Sequence, residues 1–324
     1  MYLLVGDTHL TDRPRDAYRF GIFDQIAKWQ AKYTPDRTFI MGDLCDQKDK
    51  HSSKLVNRIV SELSKLQNVR ILMGNHDYID RETPYFQFLS KLENIHFIDK
   101  PFLSGGVCAV PHCRSQQELD DSFKEFQKHS GIKIVLLHNT FTGAVSETGT
   151  ALSGLIYRNE WPRPTYGVYA GDVHKPQHAG VITYVGAPYH IRFGDDYEPR
   201  CILIGAGRDG DLMTDFPRKW KLNIQHVDEI LADDKLAHGD QVKVTVNLFR
   251  EEISEWREIK KGIADACWAK GLEVFGIKMK VDTPKGKKRD VKLSQSPSEI
   301  VASYCKAEGI ASDYKKAGLK LIEG

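Results

Sequence analysis

Short apolar runs alternate with longer amphipathic segments through the first third of the chain. The short runs have the length of strands, whereas the longer segments repeat their apolar side chains at helical spacing. The runs lie at residues 1–6, 38–41 and 69–73, and the helical segments at residues 18–32 and 52–66. Ser52 or Ser53 stands where the second helix needs an N-cap. This βαβαβ order predicts a mostly parallel sheet.

The middle of the chain contains further strands and one long polar segment. Pro84 suits the first turn of a helix that ends near Leu92, and a polar helix is expected over residues 116–128. Residues 139–163 are polar, contain glycines and predict a long active-site loop. Strands are predicted at residues 95–98, 107–110, 132–137, 166–170, 180–185 and 200–204. The last three are joined by short turns, which predicts a second, partly antiparallel sheet.

The pattern changes near Phe216, where we divide the chain. A main domain over residues 1–215 is followed by a small α/β domain over residues 216–284. Residues 285–295 are expected to form a basic linker, and residues 296–324 hold two short amphipathic helices, Ser298–Glu308 and Ser312–Ile322. Because helices of this length are marginal by themselves, we expect this C-terminal segment to dock onto a partner.

Composition narrows the classes of protein that the chain can represent. The net charge is +2, so any surface that binds nucleic acid has to be local. The six cysteines form no CxxC pair, so neither a zinc knuckle nor a disulfide framework is indicated, and reduced thiols in a cytoplasmic protein are the simplest interpretation. Apolar runs of about 18 residues are absent, so no membrane span is expected. The first residues are typical of a strand and not of a signal peptide.

Side chains suited to metal binding follow five of the predicted strands. Parallel strands present their carboxyl ends at one edge of a sheet, where ligands usually bind. A mixture of carboxylates, imidazoles and an amide suits divalent ions such as Mn²⁺, and two ions about 3.5–4 Å apart can clamp a phosphoryl group. Such a pair needs about seven ligands with one shared carboxylate. The candidate ligands are Asp7, His9, Asp43, Asn75, His138, Asp172 and His174.

Each of these residues has a simpler explanation when it is taken alone. A Gly-Asn-His sequence can be a polar turn, and a histidine at a strand end is usually structural. The ordered recurrence of such residues at five strand ends favours the metal site.

The ordered motifs resemble those of the calcineurin-like metallophosphoesterases. The main motifs are Gly6-Asp7-Thr8-His9, Gly42-Asp43, Gly74-Asn75-His76-Asp77, His138 and Gly171-Asp172-Val173-His174. Three further motifs are similar to those of the SbcD-type DNA repair nucleases, namely Lys175-Pro176-Gln177, Tyr184-Val185-Gly186-Ala187-Pro188 and Phe193-Gly194-Asp195. The resemblance covers residues 1–215 and continues more loosely beyond them. It implies a two-sheet α/β core flanked by helices, with residues 216–284 as a capping domain.

The resemblance also implies a role for each motif residue. Asp7, His9 and His174 would hold one metal ion, Asp43 would bridge, and Asn75, His138 and Asp172 would hold the other. His76 would contact the phosphate and protonate the leaving oxygen, and Asp46 would orient the His76 imidazole.

The same family implies partners as well as a reaction. The expected protein is a two-metal, Mn²⁺-dependent DNA exo- or endonuclease, with Mg²⁺ as the other candidate ion. It would be a phage or bacterial form that acts in DNA repair and recombination. It would work as a homodimer whose residues 296–324 bind a coiled-coil ATPase of the SbcC type.

One ligand departs from the family pattern. The family usually has Gly-His-x-His, and here Asp172 replaces the first histidine. The added negative charge could shift the preference toward hard ions such as Mn²⁺ or Mg²⁺. Alternatively, the second metal site is weakened.

The sequence leaves two other functions open. The chain could be a stand-alone phosphatase or nucleotide phosphodiesterase, although the C-terminal helices favour the nuclease. It could also be a non-catalytic binding subunit, although the retained His76 argues against that function.

Two further sequence features have more than one interpretation. His190 is the remaining histidine that could approach substrate. The cluster Lys285–Arg289 is either a solvated linker or a contact to the DNA backbone.

Overall fold

The structure is a computed structural model that describes residues 1–205, 207, 209–281, 296–307 and 312–323. The predicted basic linker, residues 285–295, lies outside this set. No helix within it is long and apolar enough to cross a membrane. The contacts divide the chain into two units, Met1–Val246 with Arg257–Lys278 and Asn247–Trp256 with Met279–Gly324. The proposed domain boundary after residue 215 stays a prediction.

The strands and helices follow the predicted order along the chain. The strands are β1 (Tyr2–Val5), β2 (Arg37–Ile40), β3 (Val69–Leu72), β4 (Ile95–Ile98), β5 (Phe102–Ser104), β6 (Val107–Val110), β7 (Ile134–His138), β8 (Val168–Gly171), β9 (Gln177–Ala179), β10 (Ile182–Tyr184), β11 (Arg200–Ile204), β12 (Gly210–Met213), β13 (Lys219–Ile224), β14 (Gln241–Leu248) and β15 (Glu273–Val281). The α-helices are α1 (Gly21–Tyr33), α2 (Ser53–Leu63), α3 (Gln116–Phe126), α4 (Asp228–Ala232), α5 (Trp256–Ala269), α6 (Pro297–Ala307) and α7 (Ser312–Glu323). Short 3₁₀ helices cover Pro14–Phe20, Tyr85–Lys91 and Arg250–Glu255.

Two six-stranded sheets form most of the first unit. The first has the order β12–β11–β1–β2–β3–β4, in which β1 to β4 are parallel. The second has the order β5–β6–β7–β8–β10–β9, with parallel strands in the centre and an antiparallel strand at each edge. A smaller sheet has the order β13–β14–β15. The predicted α/β fold with two sheets flanked by helices is therefore confirmed.

One strand pairs differently from the prediction. The expectation that residues 200–204 join the second sheet is wrong, because β11 pairs antiparallel with β1 and places Ile204 opposite Tyr2. The chain between β10 and β11 therefore crosses from the second sheet to the first. An apolar strand that is buried on both faces has no alternating pattern that would identify its neighbour.

The two large sheets pack against each other and carry helices on their outer faces. Leu4, Phe39 and Leu136 belong to the apolar cluster between the sheets. Leu3, the neighbour of Leu4 on β1, points the other way and packs in a cluster with Ile59 of α2. Because successive side chains of a strand point to opposite faces, β1 is buried on both sides. This four-layer packing brings the carboxyl ends of β1, β2, β3, β7 and β8 to the same edge.

The helix starts agree with the predictions in one case and differ in another. Ser52 caps α2, since its hydroxyl accepts a hydrogen bond from the Leu55 amide at 3.1 Å. The segment after Pro84 is a 3₁₀ helix, and Pro84 is its N-cap and not part of its first turn.

The predicted active-site loop, residues 139–163, is closed by its own contacts. Isolated bridges join Phe141 to Leu155 and Val145 to Ala151. The Gln177 side chain accepts from the Val145 amide at 2.8 Å and donates to the Val145 carbonyl at 2.7 Å. These contacts hold the loop beside the residues that follow β8.

Candidate metal centre

The predicted ligands come together at one edge of the two sheets. Those of the first sheet follow β1, β2 and β3, and those of the second sheet end β7 or follow β8. Two overlapping clusters have ligand atoms within 4.8 Å of one another: His9, Asp43 and His76, and Asp7, Asp43 and His138. Asp43 belongs to both clusters, as a bridging carboxylate would.

The other predicted ligands lie next to these clusters. His174 Nε2 is 3.0 Å from His9 Nε2, and Asn75 Oδ1 is 3.2 Å from His138 Nε2. Asp172 lies beside Asp7, since its amide donates to Asp7 Oδ1 at 2.9 Å. All seven predicted ligands therefore lie in one region. Their individual roles stay predictions.

The backbone at the centre is strained. His9, Asp43 and Asp172 have positive φ values of 38°, 51° and 80°, in a region that residues other than glycine rarely adopt. Such strain concentrates at functional sites, where the surrounding contacts have to maintain it. The centre therefore has a geometry that the local sequence alone would not favour.

Two of the glycines that precede candidate ligands show why close packing requires glycine there. A Cβ at Gly42, which has a φ of 109°, would collide with the His138 imidazole. A Cβ at Gly74 would collide with the Asp43 carboxylate. The Gly-Asp and Gly-Asn-His motifs therefore need glycine so that side chains from different strands can approach.

The centre concentrates carboxylates in a buried environment. Burial raises the pKa of Asp7, although the charge of His138 opposes this effect. Burial would also raise the pKa of Asp43, but the charges of His138, His9 and His76 and the hydrogen bond from His138 outweigh it, so this pKa is lowered. In His138, burial is outweighed by the charge of Asp43 and its hydrogen bond, and the pKa is raised. The imidazoles thus offset negative charge that bound cations would also offset.

The residues fit divalent metal ions. Asp7 Oδ2 and His9 Nδ1 are buried and have no hydrogen-bond partner within the described residues. Two imidazole nitrogens 3.0 Å apart, as in His9 and His174, need a shared proton or a common cation between them. Carboxylate, imidazole and amide donors together suit ions such as Mn²⁺, Mg²⁺ or Zn²⁺.

The predicted proton donor, His76, lies at the same cavity. Its Nδ1 is 2.6 Å from the main-chain oxygen of Asp46, and its amide donates to Asp43 Oδ1 at 2.8 Å. The Asp46 carboxylate is elsewhere, with Oδ1 3.8 Å from His9 Nδ1 and Oδ2 3.7 Å from Arg13 Nη1. The contact that orients the His76 ring therefore comes from the backbone of Asp46, and a role for its side chain stays a prediction.

His190 is placed as a structural residue. It is 1% exposed. Its Nε2 donates to the Tyr197 carbonyl at 3.0 Å, and its Nδ1 accepts from the Lys219 amide at 3.2 Å. Because both ring nitrogens have backbone partners, the predicted approach of this side chain to substrate has no support in the contacts.

The sequence reasoning missed two residues of the loop over residues 139–163. Glu147 Oε1 lies 3.3 Å from His174 Nδ1, and the Thr140 hydroxyl donates to Asp172 Oδ2 at 2.6 Å. The contact with the His174 ring lowers the pKa of Glu147 to about 2. Both ligands of the Gly-Asp-Val-His motif are thus held by this loop. The polar composition of the loop was the only signal, and it did not identify these residues.

Asp77 has a role that its motif did not reveal. It is fully buried, and its carboxylate accepts from the amides of Gly74, Asp43 and Leu44 at 2.8, 3.0 and 2.9 Å. It therefore ties the turn after β2 to the turn after β3 and fixes the position of Asp43. Its place directly after His76 was the available signal.

The centre lies in a cavity of about 880 Å³. Five of the predicted ligands line it together with His76 and Glu147, namely His9, Asp43, Asn75, Asp172 and His174. Cationic and aromatic side chains line it as well: Arg13, Arg15, Arg19, Arg192, Lys219, Lys243, Phe193 and Phe275.

Comparisons with known proteins give a matching family and, among the solved structures that match, a nuclease. Residues 2–205 match the sequence model of a family described as calcineurin-like phosphoesterase. No curated protein matches the chain. A solved structure of the nuclease MPE from Pseudomonas putida is 15% identical, covers 65% of this chain and 87% of its own, and gives a TM-score of 0.33.

Proposed function

Because the chain belongs to the calcineurin-like phosphoesterase family, a family of metal-dependent hydrolases, we propose that it is a two-metal DNA phosphodiesterase. The observation that carries the proposal is the pair of ligand clusters that share Asp43. Further support comes from four exposed cations that line the same cavity, Arg13, Arg15, Arg192 and Lys243, because a polyanionic substrate needs cations beside the reacting phosphate. The motifs similar to those of SbcD-type nucleases favour DNA over a small phosphate ester.

The ligands divide between two ions in this proposal. Asp7, His9 and His174 would hold one ion, Asn75, His138 and Asp172 would hold the other, and Asp43 would be shared. When bound, such ions polarise the phosphoryl oxygens and lower the pKa of water that attacks phosphorus. Mn²⁺ is the proposed ion, with Mg²⁺ as the alternative.

His76 acts as the general acid. A main-chain carbonyl can only accept, so the contact with Asp46 keeps the proton of the neutral ring on Nδ1. Nε2 is then the nitrogen that takes up and delivers a proton. A histidine is suited to this role because its unperturbed pKa lies near neutrality. Protonating the leaving oxygen avoids the release of a free alkoxide.

Cleavage assays test the proposal. Each protein is incubated with Mn²⁺ and one of four substrates: linear double-stranded DNA, single-stranded DNA, p-nitrophenyl phosphate or bis(p-nitrophenyl) phosphate. The proteins are the wild type, His76→Ala and the control His129→Ala, which alters an exposed histidine. DNA cleavage is expected from the wild type and the control, and a loss of about 10²–10⁴-fold from His76→Ala. Monoester turnover with intact DNA would contradict the proposal and favour a phosphatase. Inactivity on every substrate with metal bound would favour a binding subunit.

We further propose that the protein is the nuclease subunit of an SbcCD-type complex in DNA repair and recombination. In the second unit, α6 and α7 are in contact, and Ile300, Tyr304 and Ile322 are 38%, 40% and 42% exposed. These side chains support docking of a coiled-coil ATPase. Light scattering tests the proposed homodimer, for which twice the chain mass of 36.8 kDa is expected. A mass of one chain at micromolar concentration would contradict it.

A further inference from the structure

Two phenylalanines form a small aromatic surface in the cavity of the candidate metal centre. Phe193 follows β10, and Phe275 lies on β15; their ring centroids are 4.8 Å apart with an interplanar angle of 60°. Both side chains are half-buried, and both line the same cavity as His76 and His174. Rings that served only to pack the core would have no reason to reach the cavity surface.

Cations lie over both rings. The ammonium of Lys243 is 4.3 Å from the centroid of Phe193, and the guanidinium carbon of Arg15 is 4.5 Å from the centroid of Phe275. Arg15 Nε also lies 3.1 Å from Glu273 Oε1, but both side chains are more than a third exposed, so this ion pair is weak. A cation over an exposed aromatic face is also held weakly, so both charges can move toward a phosphate at low cost.

The pairing of rings with cations matches the chemistry of a nucleic acid strand. Each nucleotide offers a flat base, which stacks on an aromatic ring, and a phosphate, which attracts Lys or Arg. A phosphate monoester without a base would use only the cations. The cavity of about 880 Å³ has the size of a small-molecule pocket, about 300–1,000 Å³, so it can take a few unpaired nucleotides but not a duplex.

We infer that Phe193 and Phe275 stack an unpaired base next to the phosphate at the metal centre, and that Lys243 and Arg15 bind the neighbouring phosphates. This inference rests on the proposed function and makes it more specific, since it requires a DNA end to be unpaired before it is cut. Either ring can receive the base after its cation has moved to a phosphate.

Binding without turnover tests the inference. The full-length protein is titrated, with EDTA and separately with Ca²⁺, against a labelled short oligothymidylate and a blunt duplex. A second oligonucleotide carries a base whose fluorescence is quenched by stacking. The variants are Phe193→Leu and Phe275→Leu, which keep an apolar side chain but remove the ring. Trp268→Leu is the matched control, because Trp268 is 84% exposed and does not line this cavity.

Each variant has its own expected result. Phe193→Leu and Phe275→Leu should bind the single strand about 5- to 150-fold more weakly and lose the quenching, since one stacked base contributes about 1–3 kcal/mol. Both variants should bind the blunt duplex within about twofold of the wild type. Trp268→Leu should bind both the single strand and the duplex within about twofold of the wild type. Lys243→Gln should reduce the slope of log affinity against log salt by about 0.7, the value for one phosphate of a single strand.

Two results would overturn the inference. In the first, both leucine variants bind single strands as tightly as the wild type and show the same quenching. In the second, the wild type binds no single strand, either with EDTA or with Ca²⁺. Cleavage of DNA by the wild type with Mn²⁺ is measured separately. If the wild type cuts DNA while the leucine variants bind normally, the stacking surface is wrong and the nuclease function stands. If the variants lose affinity and the wild type cuts no DNA, the function is wrong and the binding surface stands.

Discussion

Asp43 shows how a single position depends on its surroundings. Its left-handed backbone, φ 51°, is maintained by the Asp77 carboxylate, which accepts from the Asp43 amide, and by the His76 amide, which donates to the Asp43 side chain. These contacts direct its oxygens toward both ligand clusters. The strain is a cost that only the assembled site can offset.

Glu147 is expected to position His174. Because a carboxylate at Nδ1 fixes the tautomer and the orientation of a ligating imidazole, Glu147→Gln should weaken Mn²⁺ binding by about 10–100-fold. A titration of Mn²⁺ followed by electron paramagnetic resonance measures this affinity directly. The control is Glu160→Gln, which alters an exposed carboxylate in the same loop. An unchanged Mn²⁺ affinity in Glu147→Gln would show that the contact is incidental.

Asp172 is expected to bias the second metal site toward hard ions. Its carboxylate accepts a hydrogen bond from Thr140, and its backbone amide donates to Asp7, so a negative charge is held where the family usually has an imidazole. Asp172→His should therefore bind Mn²⁺ less well relative to Zn²⁺. The stoichiometry of each ion is measured by elemental analysis after dialysis. If Asp172→His leaves the Mn²⁺ stoichiometry and the activity unchanged, the preference for hard ions does not come from Asp172. A higher Mn²⁺ occupancy in Asp172→His would favour the alternative, in which Asp172 weakens the second metal site.

At the scale of elements, a buried ionic group joins the 3₁₀ helix Pro14–Phe20 to β13. Lys219 Nζ lies 2.8 Å from Asp16 Oδ1, and Arg19 Nη2 lies 3.6 Å from the same oxygen. Arg19 also donates to the main-chain oxygens of His9 and Ile191. The cluster therefore supports the backbone of a candidate ligand as well as the packing of β13.

Removing Asp16 should destabilise the fold. Asp16→Asn leaves Arg19 and Lys219 buried without their carboxylate, and breaking such a group costs about 3–5 kcal/mol. Urea unfolding measures the loss, and Asp12→Asn, at an exposed position, is the control.

The difference in stability between the wild type and Asp16→Asn should depend on pH. Burial would raise the pKa of Asp16, but the charge of Arg19 and the hydrogen bond from Lys219 lower it. A lowered pKa in the folded state contributes stability above the unfolded-state value, about 3.9, and loses it as the pH falls through the folded value. The difference in stability between the wild type and Asp16→Asn should therefore narrow below about pH 3.9. A constant difference down to pH 2 would contradict this cause.

At the scale of the whole molecule, the candidate metal centre joins two sheets that share an apolar core. Asp7 and Asp43 follow strands of the first sheet, and His138 ends a strand of the second. Cations bound between them would offset buried carboxylate charge only when both sheets are in place. Metal binding should therefore stabilise the folded chain.

Mn²⁺ should raise the midpoint of thermal unfolding relative to EDTA. At about 100 times its dissociation constant, a ligand that binds only the folded state adds about 2.7 kcal/mol. Circular dichroism melts measure the shift, and Asp43→Asn should show a smaller one because it removes the shared ligand. An identical midpoint in EDTA and Mn²⁺ would contradict a metal centre at this position.

Much of the fold was accessible from local patterns. The amphipathic spacing of Leu55, Ile59 and Leu63 and the serine before them predicted α2, whose cap and buried face depend on neighbouring residues alone. The pairing of β11 with β1 was not accessible, because the two strands are about 200 residues apart in sequence and their pairing depends on the assembled sheet.

The sequence by itself determined the family of the chain and the strand ends at which its candidate ligands lie. Parallel strands end at a common edge, so Asp7, Asp43 and His138 could be assigned to one site from their positions after apolar runs. Only the tertiary structure decided the contacts of Glu147 with His174 and of Phe193 with Phe275. These contacts join segments whose own sequences show no periodicity, and their distances depend on how the loop and the sheets pack.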